Sequence, residues 1–494
     1  MKTLALRETP LTPPFVNAGD RLNPMSAMNS REAAEGHAAH SQAAASQEGM
    51  PGQFQRPIKV TMLGAGSHFA MPLMNDILSI PGADRGEIAL VDIDAKRLKP
   101  MAQIVHGLVE RHGKADGWRV HATLDRREAL PGTDYLINCI DTGGLACVRS
   151  DNDIPLKYGV NQCIGDTLGP GGLFKALRTA PVWLAILRDA EALCPKALVL
   201  NYTNPMGILC LAAFRTNATP VVGLCHSVQL TSRKLAEDAG VPFEELTWTC
   251  AGINHLAWFT RLEHQGRDLY PALIEKVRDH TGAVYESDPV RYDMMLHFGA
   301  FITESSGHLS EYLPYYRKST ELIRRYCRDG YRGEPGFYTN NWPKWRERQD
   351  AEREAVLRGE QEPDRERTFE YASWIIEARE KDAPYRIHGN VSNQGGLIGN
   401  LPADGCVEVA CMVDGAGVWP TRAGDLPPQM AAICQSNMAM IDLAARACVE
   451  RSKEAAVHAL LLDPLTAAVS APANIKAMAL EMFETQSEWL GDYR

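Results

Sequence analysis

The chain has 494 residues, 45% hydrophobic, 23% charged and 7% aromatic, enough apolar material for a large two-lobed enzyme and too much for a wholly disordered chain. Sixty-one acidic residues against 51 basic ones give a formal charge of −10, and an acidic surface repels phosphate backbones, which argues against a nucleic-acid binder. No window approaches the roughly 20 uninterrupted apolar residues of a membrane helix, and the 40 glycines follow no triplet period, which sets aside membrane-spanning and collagen-like classes.

Residues 1–56 are rich in Ala, Ser, His, Gln and Met without hydrophobic periodicity and are expected to be a disordered leader outside the fold. Arg7, Glu8 and Pro10 break the short apolar start, so no signal-peptide core is expected. Twelve irregularly spaced cysteines form no CxxC pair, and several (Cys139, Cys210, Cys250, Cys411) sit in apolar runs, the pattern of free thiols in a cytoplasmic protein.

From residue 57 the order becomes legible. IKVTMLGAG (58–66) predicts a strand ending in glycine, and Met71–Leu78 has helical periodicity. EIALVDID (87–94) is a second strand ending in acid. A charged helical stretch (95–112) and strands at 119–125 and 134–140 follow. This alternation predicts a parallel, doubly wound sheet. ALVLNYTNP (197–205) and TPVVGLCHS (219–227) read as strands running into loops, and residues 246–264 as a strand pair. Residues 265 to about 385 are helical and charged, their charge run reading as a solvated face. A late strand (405–414) and helices at 427–462 and 472–490 complete the chain.

Three motifs carry chemistry. Gly64 and Gly66 follow the first strand, Ser67 comes next, and Asp92 closes the second strand 28 positions after Gly64. Glycines there let the backbone approach a pyrophosphate at a helix N-terminus, and the acid can accept ribose hydroxyls. The third glycine of the full fingerprint is missing, since Phe69 stands there. GDTLGPGGLFKALRT (165–179), which includes Asp166, predicts a rigid loop before a helix starting at Leu173, with amides free to face a ligand. Asn204-Pro205, Cys225-His226 and Asn254-His255 each fall at the expected C-terminal end of a strand, where open α/β sheets place ligands. One thiolate and one imidazole can hold a divalent ion with positions left for substrate oxygens.

Taken in order, GAGSHF, VDID, GDTLGPGGLFKALRT, NYTNPM, GLCHSVQ, CAGINHLAWF and ITESSGHLSEYLPYY resemble glycoside hydrolase family 4, nearest its bacterial α-galactosidase branch with the α-uronidases close by. The resemblance runs from about Lys59 to the C-terminus. It implies a lactate/malate dehydrogenase-like Rossmann domain (57–225) that binds NAD and a mixed α/β catalytic and oligomerisation part (226–494). It also implies a need for a divalent metal, usually manganese, and a homodimer or homotetramer. The family is an exception to the two-carboxylate scheme of glycosidases. NAD takes a hydride from C3 of the sugar, and the resulting ketone acidifies C2. A base removes the C2 proton, the C1 group leaves, water adds back and the hydride returns.

By the same resemblance Cys225 and His255 match the metal ligands, and Asn204 and Asp166 match substrate-binding positions. His226 matches the proposed general acid. For the C2 base, Tyr312 and Glu304 both stand as candidates, with Tyr312 ranked ahead. Asp141, just before Gly143-Gly144, occupies the place where phospho-sugar members carry an Arg, so an unphosphorylated C6 is expected. Arg317-Lys318 offers a partner for a C6 carboxylate, the one physical argument for a uronide over an α-galactoside. A true hydroxy-acid dehydrogenase of the same fold needs an Arg clamp and a His–Asp pair, and no such set is visible. A silent sugar or nucleotide sensor would be expected to have lost Cys225, His255 or Asn204, and all three are present.

Overall fold

The computed structural model describes residues 49–363 and 366–494. Its first half alternates β1 (Ile58–Leu63), α1 (Ala70–Leu78), β2 (Gly86–Val91), α2 (Ala95–Arg111), β3 (Trp118–Thr123), β4 (Tyr135–Asn138), α3 (Gly144–Lys157), α4 (Gly169–Leu193), β5 (Leu198–Asn201), α5 (Met206–Thr216), β6 (Val221–Leu224) and α6 (Ser227–Ala239). The strands lie parallel in the order β3-β2-β1-β4-β5-β6. This is the doubly wound Rossmann arrangement. The centre is buried on both faces, which is why β4, β5 and β6 are apolar almost throughout. The exceptions, Asn138 and Asn201, are fully buried and answer each other, Asn138 Nδ2 donating to Asn201 Oδ1 at 2.8 Å.

Register fixes where ligands can sit. Leu63 lies opposite Asn138, Asn138 opposite Asn201, and Asn201 opposite Gly223. Gly64, the Tyr202–Asn204 loop and Cys225 therefore all leave the sheet along one edge.

The second half continues the same sheet. It contains β7 (Leu246–Ile253), β8 (Leu256–His264), β9 (Arg267–Asp268), β10 (Phe301–Ile302), α7 (Ser306–Glu311), α8 (Phe337–Leu357), α9 (Tyr371–Lys381), β11 (Tyr385–Ser392), β12 (Cys406–Asp414), β13 (Gly417–Pro420) and α10 (Pro428–Glu450). β6 pairs antiparallel with β11, and the order runs on through β12, β7, β8 and β10. β12 meets β7 through a single pair, Glu408 with Gly252. α10 packs on α5 and α4 of the first half. The chain position 225/226 thus marks a change from parallel to antiparallel pairing inside one 13-stranded sheet. No helix among the described residues is long and apolar enough to cross a membrane.

Two expectations change. Of the expected leader, residues 1–48 lie outside the described residues, but its last stretch packs against the fold. Met50 is buried, its N–H donates to Glu377 Oε1 at 2.8 Å, and its carbonyl accepts from Lys381 Nζ at 2.9 Å. Arg56 pairs with Asp134 and Glu380 at 2.6 and 2.7 Å. The polar composition hid this because the contacts are hydrogen bonds and ion pairs to distant residues. The helix expected from Leu173 begins at Gly169, so the glycines of the loop lie in its first turn.

Candidate active site

Ile253 of β7 pairs with Leu256 of β8, leaving Asn254-His255 as a two-residue hairpin turn. His255 takes φ 60°, and Glu304, just past β10, takes φ 71°. Left-handed backbone is uncommon for such residues and concentrates at functional sites. β10 pairs with β8 at Ile302–Trp258, which carries Glu304 back to the turn. Cys225 follows β6 and arrives from the first half.

One donor atom each from Cys225, His255 and Glu304 lie within 4.8 Å of one another. His255 Nδ1 is hydrogen-bonded to the Tyr312 hydroxyl at 3.1 Å, and its Nε2 lies 3.5 Å from Glu304 Oε2. The phenol thus orients the ring, and the other nitrogen faces the carboxylate. Burial lowers His255 to about 4, leaving the neutral imidazole that a metal needs. Burial also pushes the Cys225 thiol well above its ordinary value, with the Glu408 and Glu304 carboxylates adding to the effect. A bound cation reverses that balance, because a coordinating thiol deprotonates. The donor set of thiolate, imidazole and carboxylate fits a divalent transition metal. Asn254 points the same way: it is 5% exposed, and neither of its side-chain polar atoms has a partner among the described residues.

A chain of alternating charges runs from this cluster. His308, on α7, lies 3.4 Å from Glu304 and 3.6 Å from Asp166, and Asp166 lies 3.3 Å from Lys175. Burial opposes ionisation of Asp166, yet Lys175 and His308 hold it well below the usual carboxylate range. Burial also opposes a charge on His308, but Glu304 and Asp166 raise it to about 9. Glu304 is likewise held below its ordinary value against burial, by His255 and His308. Asn204, after β5, donates to Asp166 at 3.4 Å. Glu311 of α7 clasps the loop that carries Asp166, accepting from the N–H groups of Cys163 and Gly165 at 2.5 and 3.0 Å.

The structure therefore brings together Cys225, His255, Glu304, Tyr312, Asp166 and Asn204. His226 stands at the edge of the cluster: its half-exposed ring lies 3.5 Å from Glu370, which raises its pKa, with Glu304 adding to the effect. Because about half of that ring meets water, the pairing is weak. The nucleotide motif forms a separate corner. Gly64 takes φ 77°, and a Cβ there would lie 2.2 Å from the Cys139 carbonyl. Asp92 accepts from Gly66 N at 2.7 Å and Asp94 N at 2.9 Å, so its carboxylate braces the loop. Ser67 Oγ accepts from Phe69 N at 3.3 Å.

Sequence reasoning gave no role to His308, Lys175 or Asn254, although each stands inside or beside a quoted motif. Their signal was spacing within those motifs, Lys175 nine residues after Asp166 and His308 four after Glu304. One reading is overturned. Arg317 is 1% exposed, and its guanidinium donates to the Asn161 carbonyl at 2.8 Å, Ser310 Oγ at 3.1 Å and the Gly333 carbonyl at 2.9 Å. It is a structural cation with its donors taken, not a partner for a sugar carboxylate.

A Rossmann sheet extended by antiparallel strands, with a thiol, an imidazole and a carboxylate gathered at the sheet edge beside a glycine loop, defines a nucleotide-binding enzyme fold with a metal-competent site. Comparison with known families matches "Family 4 glycosyl hydrolase" over residues 59–241 and "Family 4 glycosyl hydrolase C-terminal domain" over residues 250–466. An α-galactosidase of Bacillus subtilis (strain 168) is 37% identical over 442 residues, covering 88% of this chain and 100% of its own. One from Rhizobium meliloti (strain 1021) is 37% identical over 457 residues, covering 88% and 89%. The chain belongs to glycosyl hydrolase family 4. Among solved structures, a 6-phospho-α-glucosidase from gut microorganisms, in complex with NAD and Mn2+, shares the fold with a TM-score of 0.73 at 21% identity, covering 88% of this chain and 99% of that one.

Proposed function

We propose that this protein hydrolyses α-galactosidic bonds using NAD and a divalent metal such as manganese. The carrying observation is the Cys225–His255–Glu304 cluster in a chain 37% identical to two α-galactosidases. When bound, the dinucleotide supplies a hydride acceptor for C3, and the metal supplies a Lewis acid for the sugar oxygens. Cys225 Sγ and His255 Nε2 would hold the ion, with Tyr312 keeping Nδ1 in place. Glu304, held ionised by the charged His308 beside it, is our choice for the group that accepts the C2 proton, which leaves it the carboxylate next to the ion and not one of the ion's ligands. Tyr312, which the sequence ranked ahead as the base, is kept neutral by burial and orients His255, and it could take the C2 proton only if the ion's charge lowered its phenol. His226, beside Glu370, is the group that would give a proton to the leaving oxygen. Asn204 and Asp166 would position sugar hydroxyls, and Gly64, Gly66, Ser67 and Asp92 would receive the dinucleotide. An α-glucuronidase or α-galacturonidase of the same family is the second reading, now without Arg317 to support it. All twelve cysteines are free, which suits a reducing cytoplasm, and we assign a homodimer or homotetramer.

A panel of p-nitrophenyl α-galactoside, α-glucoside, α-glucuronide and α-galacturonide, with NAD, manganese and reductant, tests the substrate. Cleavage of the uronides alone would overturn the galactoside choice. Cys225→Ser or chelation should abolish turnover, and Glu304→Gln should stop exchange of a C2 deuterium while NAD still binds. Full activity in chelator would sink the metal-dependent scheme.

A further inference from the structure

In the usual dinucleotide fingerprint, backbone N–H groups of the glycine loop receive the phosphates. Here three consecutive amides are already committed. Ala65 N donates to the Val91 carbonyl at 3.0 Å, Gly66 N to Asp92 at 2.7 Å and Ser67 N to the Gly64 carbonyl at 3.0 Å. A pyrophosphate docking beside this loop needs other donors.

Those donors stand next to it. Arg97 of α2 reaches over Gly66, its Nε donating to the Gly66 carbonyl at 3.1 Å. Arg353 comes from α8 in the second half and is 7% exposed. The two cations share one carboxylate: Asp350 lies 3.1 Å from Arg97 Nη1 and 2.9 Å from Arg353 Nη2. Behind them His68, two residues after Gly66, faces Glu352 of the same helix at 3.6 Å. In this one corner Arg97 Nη2, Arg353 Nε and Nη1, and His68 Nδ1 are all buried with no hydrogen-bond partner among the described residues. Buried N–H groups of a guanidinium left without acceptors are costly and therefore rare, and several gathered at one spot mark a missing anion. Two guanidinium groups with free N–H edges suit a polyphosphate, which takes several charge-assisted hydrogen bonds at once.

We infer that Arg97 and Arg353 form a side-chain clamp for the pyrophosphate of the dinucleotide, so that α8 of the catalytic half completes the cofactor site of the Rossmann half. This rests on the NAD reading above. The test is calorimetric titration of the full chain, without metal, by NAD, by ADP-ribose and by inorganic pyrophosphate. Arg353→Gln should weaken NAD and ADP-ribose at least tenfold and remove the competition of inorganic pyrophosphate with NAD. Arg353→Lys should restore part of both. Melting of the nucleotide-free variant should be unchanged or higher, since a poorly partnered buried cation is gone. NAD affinity within twofold of the parent in Arg353→Gln, or competition by pyrophosphate that persists, overturns the clamp alone. A parent chain that binds no NAD overturns the cofactor reading and the clamp together.

Discussion

Arg317 and Cys225 show at the residue scale what a sequence displays and what it hides. Cys225, Asn204 and His255 follow strands or sit in a two-residue turn, so their convergence is legible from the rule that ligands gather at strand ends. Arg317 follows two tyrosines and reads equally as a surface cation or a ligand for an acid. Only tertiary structure shows that its guanidinium ties the 161, 310 and 333 segments together. His308 and Lys175 were missed for a related reason, because each gains meaning only from its pairing with Asp166 or Glu304. Removing part of a buried, fully bonded cation leaves acceptors unmet. Arg317→Lys should therefore cost about 1–3 kcal/mol of stability, seen as a lowered denaturant midpoint, with glycone preference unchanged in what remains folded. A variant of full stability with a new preference among the glycosides would return Arg317 to the substrate.

At the scale of elements, α1 carries a titrating anchor. Asp76 is fully buried and accepts from the Thr368 N–H at 2.9 Å and from the Thr368 hydroxyl, joining α1 to the segment before α9. Burial raises its carboxyl to about 7 despite those bonds. Its pKa in the unfolded chain is about 4, so between these values the folded state binds more protons than the unfolded one. Stability should fall as pH rises from about 4 to about 7 and level off above, by at most about 4 kcal/mol from this group. Asp76→Asn should flatten that part of the melting-temperature curve, and an unaltered slope would show that Asp76 is already ionised. Most elements were readable, since β1, β2, β4, β5 and β6 are apolar runs with clear ends. β11 was not. Its sequence, YRIHGNVS, mixes Arg, His and Asn into a strand that is buried nearly throughout, and Asn390 there donates to Glu408 of β12 at 3.2 Å. A buried strand with polar pairs has no hydrophobic signature. The charge run of α8 is mostly exposed or half-buried, as expected of a solvated face, and Arg353 is the charged residue on it that is buried.

Across the whole molecule, the chain just before β1 ties the two halves together. Met50 bonds to Glu377 and Lys381, both on α9, and Glu377 also pairs with Arg367. A chain starting at Gly49 should melt as the parent does. One starting at Gln55 should lose about 1–3 kcal/mol, since Lys381 and Glu377 each lose a buried partner. Equal melting of the two would mean that the Met50 contacts contribute nothing.

The antiparallel join at β6 has a consequence for modularity. In a free-standing parallel half, β6 would be an edge strand with unpaired N–H and C=O groups, a template for pairing with other chains. Here β11 covers that edge, and Asn390 lies opposite Gly223, where any added Cβ would lie within 3.0 Å of Met206, Cys210 and Asn390. The glycine lets the two backbones and their side chains close without a gap. Cutting the chain after Cys225 would expose a buried, apolar strand that no sequence feature protects. The parallel half is therefore not a portable part: its last strand is finished by residues more than 150 positions further along the chain.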